Sequence, residues 1–266
     1  MRDPIRVSVT ELSEWQECPQ RWRYARVLGL RRKPGDTASP LISGSAIHAG
    51  IEGGLLLGKD RAMEAANSYL AQYGPAAEKY VAGASRALGC VPEHLWSIHN
   101  PQAETPLSVV YQPTADIRVE MRGRPDCWYY KDDVGLVIWE FKSTSSDEVS
   151  RLEQYTLWNM QPRYYAVLLL DTLAKDLPVY TAHAVLSTRG KGAVGEPTLL
   201  PKSQIKHARS HMLDIAVRVA SARIDPTLVV PHYGFHCNWC EFAPIDEGVL
   251  TGADTQGIIA EEYERR

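Results

Sequence analysis

Two runs of aromatic and β-branched residues near the middle of the chain predict a β-hairpin. The first run spans residues 124–130 and the second spans residues 136–142. The short segment between them is polar and ends in glycine, which is typical of a turn between antiparallel strands. Residues 136–139 are all apolar, which indicates a second strand buried on both faces. Side chains alternate along a strand, so Glu140 and Lys142 should point to one face.

Helical and strand patterns alternate along the rest of the chain. Ser8 and Glu11 have the spacing of a helix capping box. Apolar residues recur at helical spacing in 203–224, the Ala-rich stretch 61–86 also predicts helix, and 178–187 has the pattern of a strand. The predicted order is helix, helix, three strands, helix, strand, helix. This order favours an α/β fold with a mixed central sheet flanked by helices and a helical lobe inserted before the sheet.

The composition is that of a globular chain with a sizeable core. The chain has 266 residues, of which 44% are hydrophobic. No apolar run approaches the ~20 residues that span a bilayer, and the amino terminus lacks a secretory signal pattern. We therefore expect a cytoplasmic protein with no membrane contact. The net charge of −3 and the pI near 6.3 do not by themselves indicate a nucleic-acid binder.

Two acids and a lysine in the predicted hairpin are the first candidates for chemistry. Asp126 lies three residues after Gly123, and the second strand ends in Glu140-Phe141-Lys142, fourteen residues after Asp126. A Glu and a Lys at the end of a buried strand are costly to desolvate alone, and a metal ion with a mutual contact would offset that cost. Two carboxylates and a lysine are the set found in metal-dependent phosphodiesterases. Taken alone, an E-x-K pair is more often a surface salt bridge at a strand end.

A histidine and a glutamate lie one helical turn apart upstream of the hairpin. Ser43 or Ser45 can cap a helix that runs to about Leu57, and His48 and Glu52 then share one face of it. Such a pair can share a divalent cation or orient a water molecule. A single helical histidine is, however, more often structural than a ligand.

A second helical pair lies downstream of the hairpin. Pro162 suits the first turn of a helix, which places Gln161 and Tyr165 one turn apart. By itself this segment predicts only an amphipathic helix.

In chain order the sequence contains G-x-x-x-H-x-x-x-E, G-x-P-D, E-x-K and Q-x-x-x-Y. These motifs resemble the RecB/AddB-type branch of the PD-(D/E)XK nuclease superfamily, which includes the CRISPR-associated exonucleases that carry an iron–sulfur cluster. The resemblance implies a restriction-endonuclease-like core within a single nuclease domain. It places a helical lobe at 44–113 and the nuclease core at 114–224. Segments 1–33 and 225–266 would be joined by a metal cluster.

The same resemblance implies a metal site in the core. His48, Asp126, Glu140 and the carbonyl oxygen of Phe141 would bind one or two Mg²⁺ or Mn²⁺ ions. Oxygen ligands suit Mg²⁺, and an imidazole shifts the preference toward Mn²⁺.

The remaining motif residues would support the reaction. Lys142 would position the attacking hydroxide or stabilise the transition state electrostatically. Gln161 and Tyr165 would orient the DNA strand or the lysine. Glu52 would support His48 from outside the ligand set or bind a water molecule.

The ends of the chain also match the resemblance. Cys18 and Tyr24 match the family's opening motif, in which the cysteine is a cluster ligand. Near the carboxyl end, Cys237 and Cys240 match two of three further cluster cysteines. Asp246 stands where the family has the last cysteine, which is a departure from the pattern.

Three interpretations of this cysteine group remain open. The three thiolates and the Asp246 carboxylate would hold a [4Fe–4S] cluster, although a carboxylate is a poorer match to that site. The cysteines with His232 or His236 would instead hold zinc, or the group is vestigial. A bound metal would act chiefly by joining the first and last segments, because metal-binding free energy becomes folding free energy.

A basic segment near the amino end is the candidate DNA-binding surface. Six basic residues and two aromatic ones lie within residues 21–33. Cations for phosphates and aromatic faces for bases are typical of a single-strand channel. A solvated basic helix face has the same composition. The expected DNA-contacting residues are Arg21, Trp22, Arg23 and Arg26.

Together these features predict a metal-dependent DNA exonuclease acting on single-stranded ends, with 5′ to 3′ polarity favoured, in recombination, repair or end processing. A structure-specific endonuclease on the same fold and a non-catalytic DNA-end-binding subunit are alternatives. A zinc-bound interaction protein with a coincidental E-x-K is a further one. No helicase P-loop is present, so a helicase or recombination partner would be a separate chain. The size suits a prokaryotic or phage protein.

Overall fold

The structure is a computed structural model that describes residues 3–33, 40–150, 159–231 and 233–265. The chain divides into two compact units, which are described separately. The first unit comprises Met1–Thr37, Val110–Arg122 and Ser210–Arg266, and the second comprises Ala38–Val109 and Gly123–Arg209.

The described residues form helices and strands in mixed order along the chain. The helices are α1 (Val9–Glu17), α2 (Pro19–Trp22), α3 (Pro40–Leu57), α4 (Ala62–Ala71), α5 (Val81–Leu88), α6 (Glu93–Trp96), α7 (Gln161–Leu173), α8 (Lys202–Ile224), α9 (Ala243–Thr251) and α10 (Thr255–Glu262). The strands are β1 (Ile5–Ser8), β2 (Leu30–Arg32), β3 (Gln102–Ala103), β4 (Leu107–Tyr111), β5 (Val119–Gly123), β6 (Cys127–Lys131), β7 (Gly135–Thr144), β8 (Val179–Ser187), β9 (Gly192–Val194), β10 (Thr198–Leu199) and β11 (Tyr263–Arg265).

The second unit is built on a mixed sheet with strand order β10-β8-β7-β6-β3, and β9 pairs with β8. Strands β7 and β8 are parallel, whereas β6 and β7 are antiparallel. Helix α3 contacts β7 and helix α5 contacts β8. Residues of α3, α4 and α5 share one buried cluster with Val137, Trp139 and Phe141 of β7. Helix α7 contacts both β7 and β8. The predicted mixed central sheet flanked by helices is therefore confirmed.

The predicted hairpin is strands β6 and β7. Their register pairs Cys127 with Trp139 and Lys131 with Gly135. Gly135 has a φ of 132°, and a Cβ atom there would lie 2.3 Å from the carbonyl oxygen of Pro178. Only glycine fits this turn, because a side chain would meet both backbone strain and a clash.

Helix α3 begins at Pro40, which corrects the expected start of this helix. Proline suits the first helical turn, where its missing N–H costs no hydrogen bond. Ser43 and Ser45 therefore lie inside the helix and do not cap it. The predicted end at Leu57 is confirmed.

The first unit contains a three-stranded sheet of order β1-β5-β4 and an antiparallel pair of β2 and β11. The predicted capping box is present, since Ser8 Oγ accepts from Glu11 N and Glu11 Oε2 accepts from Ser8 N. Glu11 also accepts hydrogen bonds from Trp22 Nε1 at 2.8 Å and from Arg223 Nη2 at 2.5 Å. This buried carboxylate ties α1 and α2 to the end of α8.

An aromatic cluster joins the amino- and carboxyl-terminal segments of the first unit. The Phe242 ring lies 5.3 Å from the Tyr24 ring and 5.6 Å from the Tyr263 ring, and Leu30 and Ile245 complete the buried cluster. These contacts connect the segments that the sequence analysis expected a metal cluster to join.

Two further predictions concern the whole chain. Within the described residues, no helix is both long and apolar enough to cross a membrane. The division into a lobe at 44–113 and a core at 114–224 remains a prediction, and strands β3 and β4 lie within the first of these ranges.

Candidate active site

Asp126 connects the central hairpin to helix α3. It lies directly before β6, and its Oδ2 accepts a hydrogen bond from the Phe141 N–H at 2.7 Å. Its Oδ1 lies 3.4 Å from Nδ1 of His48. The sequence placed these residues in separate motifs, and the structure brings them together.

Glu140 and Lys142 lie side by side near the end of β7. Because Phe141 faces α3, their alternation places both on the opposite face of the strand. Lys142 Nζ donates to Glu140 Oε2 at 3.2 Å. Glu140 is 1% exposed, and its Oε1 has no hydrogen-bond partner in the described part of the chain. Such an oxygen is costly to bury unless a cation or water satisfies it.

Burial and neighbouring charges shift the pKa values of both Glu140 and Lys142. Burial raises the pKa of Glu140, and the charge of Asp126 raises it further against the opposing effect of Lys142. Burial lowers the pKa of Lys142, but the charges of Glu140 and Asp126 outweigh it and raise the pKa above its ordinary value. The two carboxylates repel each other and together hold the lysine protonated.

Glu104 is a site residue that the sequence analysis missed. Its Oε1 lies 3.6 Å from His48 Nδ1, and its Oε2 lies 2.7 Å from Arg124 Nε. Its backbone N–H donates to the carbonyl oxygen of Asp126 at 3.1 Å. One ligand atom each from His48, Glu104 and Asp126 lies within 4.8 Å of the others. The only signal in the sequence was a single acid within residues 44–113, the range predicted as a helical lobe.

His48 is strongly influenced by these acids. Burial lowers the pKa of His48, but hydrogen bonds to Asp126 and Glu104 outweigh that effect and raise the pKa to about 10. A metal ligand must be neutral imidazole, so an ion bound at His48 would displace this proton.

Glu52 lies one turn after His48, as predicted. Burial raises the pKa of Glu52, the charge of Glu104 raises it further, and Arg124 lowers it. The Glu52 carboxyl is thus influenced by Glu104. Its predicted role in supporting His48 stays a prediction.

Gln161 and Tyr165 meet in the first turns of α7, where Gln161 Nε2 donates to the Tyr165 hydroxyl at 2.9 Å. Burial raises the pKa of Tyr165, and the charge of Glu140 adds to this. A Cβ atom at Gly123 would lie 2.8 Å from the Tyr165 ring and 2.9 Å from Leu168 Cδ1. The glycine of G-x-P-D therefore permits α7 to approach the backbone at Gly123 closely.

His183 is a second residue that sequence reasoning missed. It pairs with Glu140 in the parallel register of β7 and β8. It is buried, and its Nδ1 has no hydrogen-bond partner in the described ranges. Burial lowers the pKa of His183 to about 4, with the charges of Lys142 and Arg163 contributing. The pairing joins residues more than forty positions apart, which no local motif indicates.

The donor set fits a divalent metal ion. Carboxylates with an imidazole are ligands suited to Mg²⁺ or Mn²⁺, and the unpartnered Oε1 of Glu140 is a buried oxygen that a cation would satisfy. The roles of Asp126, Glu140 and the Phe141 carbonyl as ligands stay predictions.

Trp22 is fully buried, which corrects its assignment as a DNA-stacking residue. Its ring lies 4.9 Å from the Trp15 ring, and its Nε1 donates to Glu11. No face of the indole is available to a base. The prediction for this residue is wrong because helix α2 turns it into the core.

Two arginines of the basic segment pair with glutamates. Arg21 Nη1 donates to Glu17 at 2.8 Å, and Arg26 forms two bonds to Glu14 at 2.7 and 2.6 Å. The Nε of Arg23 is buried without a partner among the described residues. A role for these three in DNA binding stays a prediction.

The cysteine group lies in the first unit, and none of the five cysteines forms a disulfide bond. Tyr24 donates a hydrogen bond to Asp246 Oδ1 at 2.8 Å. Burial raises the pKa of the Cys240 thiol, and the charges of Asp246 and Cys18 raise it further. The charges of Asp246 and Cys18 thus act on Cys240, and a shared metal bound by these residues stays a prediction.

Among the described residues, no three of Cys18, Cys237, Cys240 and Asp246 offer ligand atoms within 4.8 Å of one another. Zinc–sulfur bonds of ~2.3 Å place tetrahedral thiolates about 4 Å apart. Among the described residues, His48 and its two acids are the one group of three His, Cys, Asp or Glu donors within 4.8 Å of one another. His232 lies outside the described residues, and the side chain of His236 is not described.

A family model described as the PD-(D/E)XK nuclease superfamily matches residues 6–245. Its members are nucleases that use divalent metal ions. No curated protein matches the chain.

Solved structures with the same fold include a Eubacterium rectale protein described as a "putative exonuclease". It is 13% identical, with a TM-score of 0.52 over 88% of this chain and 86% of that one. The protein SSO0001 is 17% identical, with a TM-score of 0.45 over 92% of this chain and 87% of that one. At 13% identity, the likeness to the Eubacterium rectale protein concerns the fold alone. The family model covers most of the length of this chain, and the chain therefore belongs to the PD-(D/E)XK nuclease superfamily.

Proposed function

We propose that this protein is a divalent-metal-dependent DNA exonuclease that shortens single strands from an end. The convergence of Asp126, His48 and Glu104 with the Glu140–Lys142 pair carries this proposal. The description of the Eubacterium rectale protein agrees with an exonuclease. The RecB/AddB-type branch, the 5′ to 3′ polarity and a role in recombination or repair rest on the sequence motifs.

The acids of the site would hold the metal. Asp126, Glu140 and His48 are the proposed ligands, and Glu104 joins them on the strength of its position. These residues would thereby supply a Mg²⁺ or Mn²⁺ ion that would lower the pKa of the attacking water and neutralise charge on the scissile phosphate.

The other residues of the site act directly on the substrate or on one another. Lys142, kept protonated by its neighbouring acids, supplies a cation that stabilises charge developing in the transition state. Glu140 holds the Lys142 ammonium group in place through its Oε2. Tyr165 stays protonated and is oriented by Gln161, so its hydroxyl remains a hydrogen-bond donor beside the acids.

A cleavage assay on labelled single strands tests the proposal. Wild type with Mg²⁺ or Mn²⁺ should release labelled mononucleotides or short products, and chelation of the metal should stop the release. Glu140→Gln should slow cleavage by about 10²-fold or more. Glu64→Gln, an exposed glutamate paired with Arg61, is the matched control and should cleave normally.

Parallel substrates separate the alternatives. Labels at the 5′ and 3′ ends report polarity, and a circular single strand is cut only by an endonuclease. Binding of ends without cleavage in either metal would identify a non-catalytic end-binding subunit and would refute the nuclease proposal.

For the cysteine group we propose a [4Fe–4S] cluster in preference to mononuclear zinc. The match of Cys18, Cys237 and Cys240 to the motifs of the iron–sulfur nucleases supports the cluster, and the charges of Asp246 and Cys18 act on the Cys240 thiol. Protein purified without oxygen should be brown and contain iron, and Cys237→Ser should reduce the iron content. Stoichiometric zinc in a colourless preparation would contradict this assignment.

A further inference from the structure

A pocket of about 330 Å³ lies at the carboxyl ends of β7 and β8, outside the acidic centre. Two cations line it, Lys79 and Arg86, and among its described lining residues none is acidic. Hydroxyl groups supply much of the remaining wall. These come from Ser43, Tyr80, Ser143, Thr144, Ser145 and Thr188.

The two cations are anchored beside the pocket. Arg86 Nε donates to the carbonyl oxygen of Thr188 at 2.8 Å, which engages one of the five N–H donors of the guanidinium. Lys79 Nζ lies 5.2 Å from the centre of the Tyr80 ring, a cation–π distance. Both positive groups are therefore held on the helical side of the pocket.

Two glycines shape the pocket. A Cβ atom at Gly44 would lie 2.9 Å from Ser143 Oγ, and one at Gly83 would lie 3.2 Å from Thr188 Cβ. Any side chain at either position would press against the side chain of Ser143 or Thr188. The glycines thus let α3 and α5 approach β7 and β8 and leave room for a ligand.

The pocket borders the proposed catalytic residues. Ser143 directly follows Lys142, and Gly44 precedes His48 by one turn of α3, about 6 Å along the helix axis. In α/β proteins, ligands commonly bind outside the carboxyl ends of the sheet strands. A strand of nucleic acid held at the acids would therefore extend past this pocket.

We propose that the pocket binds a phosphate group of the nucleic-acid strand, adjacent to the phosphate that is cleaved. Arginine, lysine and hydroxyl groups are the usual protein partners of phosphate oxygens. The identity of the strand as substrate rests on the proposed function. A terminal phosphate and an internal phosphodiester present the same oxygen atoms, so the experiment includes both.

Binding is measured on a Glu140→Gln background without metal, so that no substrate is consumed. Fluorescence anisotropy follows three single strands: one with a 5′-phosphate, one with a 5′-hydroxyl, and a circle. The variant is Lys79→Gln with Arg86→Gln. The matched control is Lys59→Gln with Arg61→Gln, which removes two exposed cations of the second unit that do not line the pocket.

The pocket variant should bind at least one strand about tenfold more weakly than the control does. The dependence of log K on log salt should become shallower by about 0.7 for each lost phosphate contact. Weakening confined to the 5′-phosphorylated strand identifies a terminal phosphate, and equal weakening of all three identifies an internal one. Lys79→Gln alone, a change at an exposed position, should show part of the effect and guards against a folding defect in the double variant.

Two results separate this proposal from the nuclease proposal. If wild type cleaves DNA but the pocket and control variants share one affinity and one salt slope, the pocket proposal is wrong and the nuclease survives. If wild type never cleaves but the pocket variant loses affinity, the nuclease proposal fails and the phosphate site stands. In active enzyme, the pocket variant should raise KM more than it lowers kcat.

Discussion

The acidic centre around Asp126 and the cysteine group around Cys18 differ in how the protein holds their donor atoms. In the acidic centre, the donors lie on or beside regular elements, and backbone or side-chain hydrogen bonds orient Asp126 and Glu140. In the cysteine group, Cys237 belongs to a short 3₁₀ turn, and Asp246 is already bonded to Tyr24.

The two regions also differ in whether their buried polar groups have protein partners. The acidic centre buries like charges together and leaves one Glu140 oxygen without a protein partner, an arrangement that costs folding free energy and suits a cation. In the first unit, the buried carboxylate of Glu11 instead has protein partners, since it accepts hydrogen bonds from Trp22 and Arg223. Substitutions in the acidic centre should therefore alter catalysis, and substitutions in the first unit should alter stability.

The largest effect is expected from Asp126→Asn. The amide removes a negative charge from the proposed metal site, so the rate of cleavage should fall by about 10³-fold. The amide oxygen can still accept the Phe141 N–H, and repulsion of Glu140 is relieved, so the melting temperature should stay within a few degrees of wild type. Steady-state kinetics and thermal unfolding measure the two quantities.

A large fall in melting temperature for Asp126→Asn would erase the distinction between the two regions. Unchanged cleavage would remove Asp126 from the proposed ligand set. Asp133→Asn, at the tip of the hairpin turn, is a matched control with the same chemical change.

Trp22→Ala should lower the stability of the protein and leave cleavage nearly unchanged, the reverse of Asp126→Asn. Trp22 is 0% exposed, and truncating a large buried aromatic side chain costs about 3–5 kcal/mol. The melting temperature should fall by about 10 °C, while cleavage per folded molecule stays near wild type. Circular dichroism and assays below the transition test both points.

Trp239→Ala is the control for this variant, since Trp239 is in the same unit and 71% exposed. It should unfold close to the wild-type temperature. Lost DNA affinity in Trp22→Ala without lost stability would restore Trp22 as a DNA-contacting residue.

Local spacing accounts for the parts of the structure that the sequence predicted. The capping box at Ser8, the β6–β7 hairpin and the Gln161–Tyr165 pair each depend on residues a few positions apart, and each is present. The E-x-K alternation likewise places Glu140 beside Lys142.

The missed features depend on contacts between distant segments. Glu104 reaches the site because β3 pairs Ala103 with Cys127, and His183 does so through the parallel pairing of β7 and β8. Burial of Trp22 likewise depends on its packing in the core, which the surrounding arginines do not reveal. Register and packing across the chain leave no periodic signal in the local sequence.

The smallest effect is expected from Tyr165→Phe, which tests whether a buried polar group of the acidic centre serves catalysis or stability. The change removes one hydroxyl and its bond from Gln161, worth about 0.5–1.5 kcal/mol of stability. We expect a melting temperature lowered by only a few degrees and cleavage slowed by about tenfold, since the hydroxyl donates beside Glu140. Tyr130→Phe, at an exposed site on β6, is the matched control.

Gln161→Ala and the double variant complete a cycle: if the hydroxyl acts through Gln161, the two changes together should slow cleavage no more than Tyr165→Phe alone. Additive losses would instead show that each side chain contacts the substrate independently.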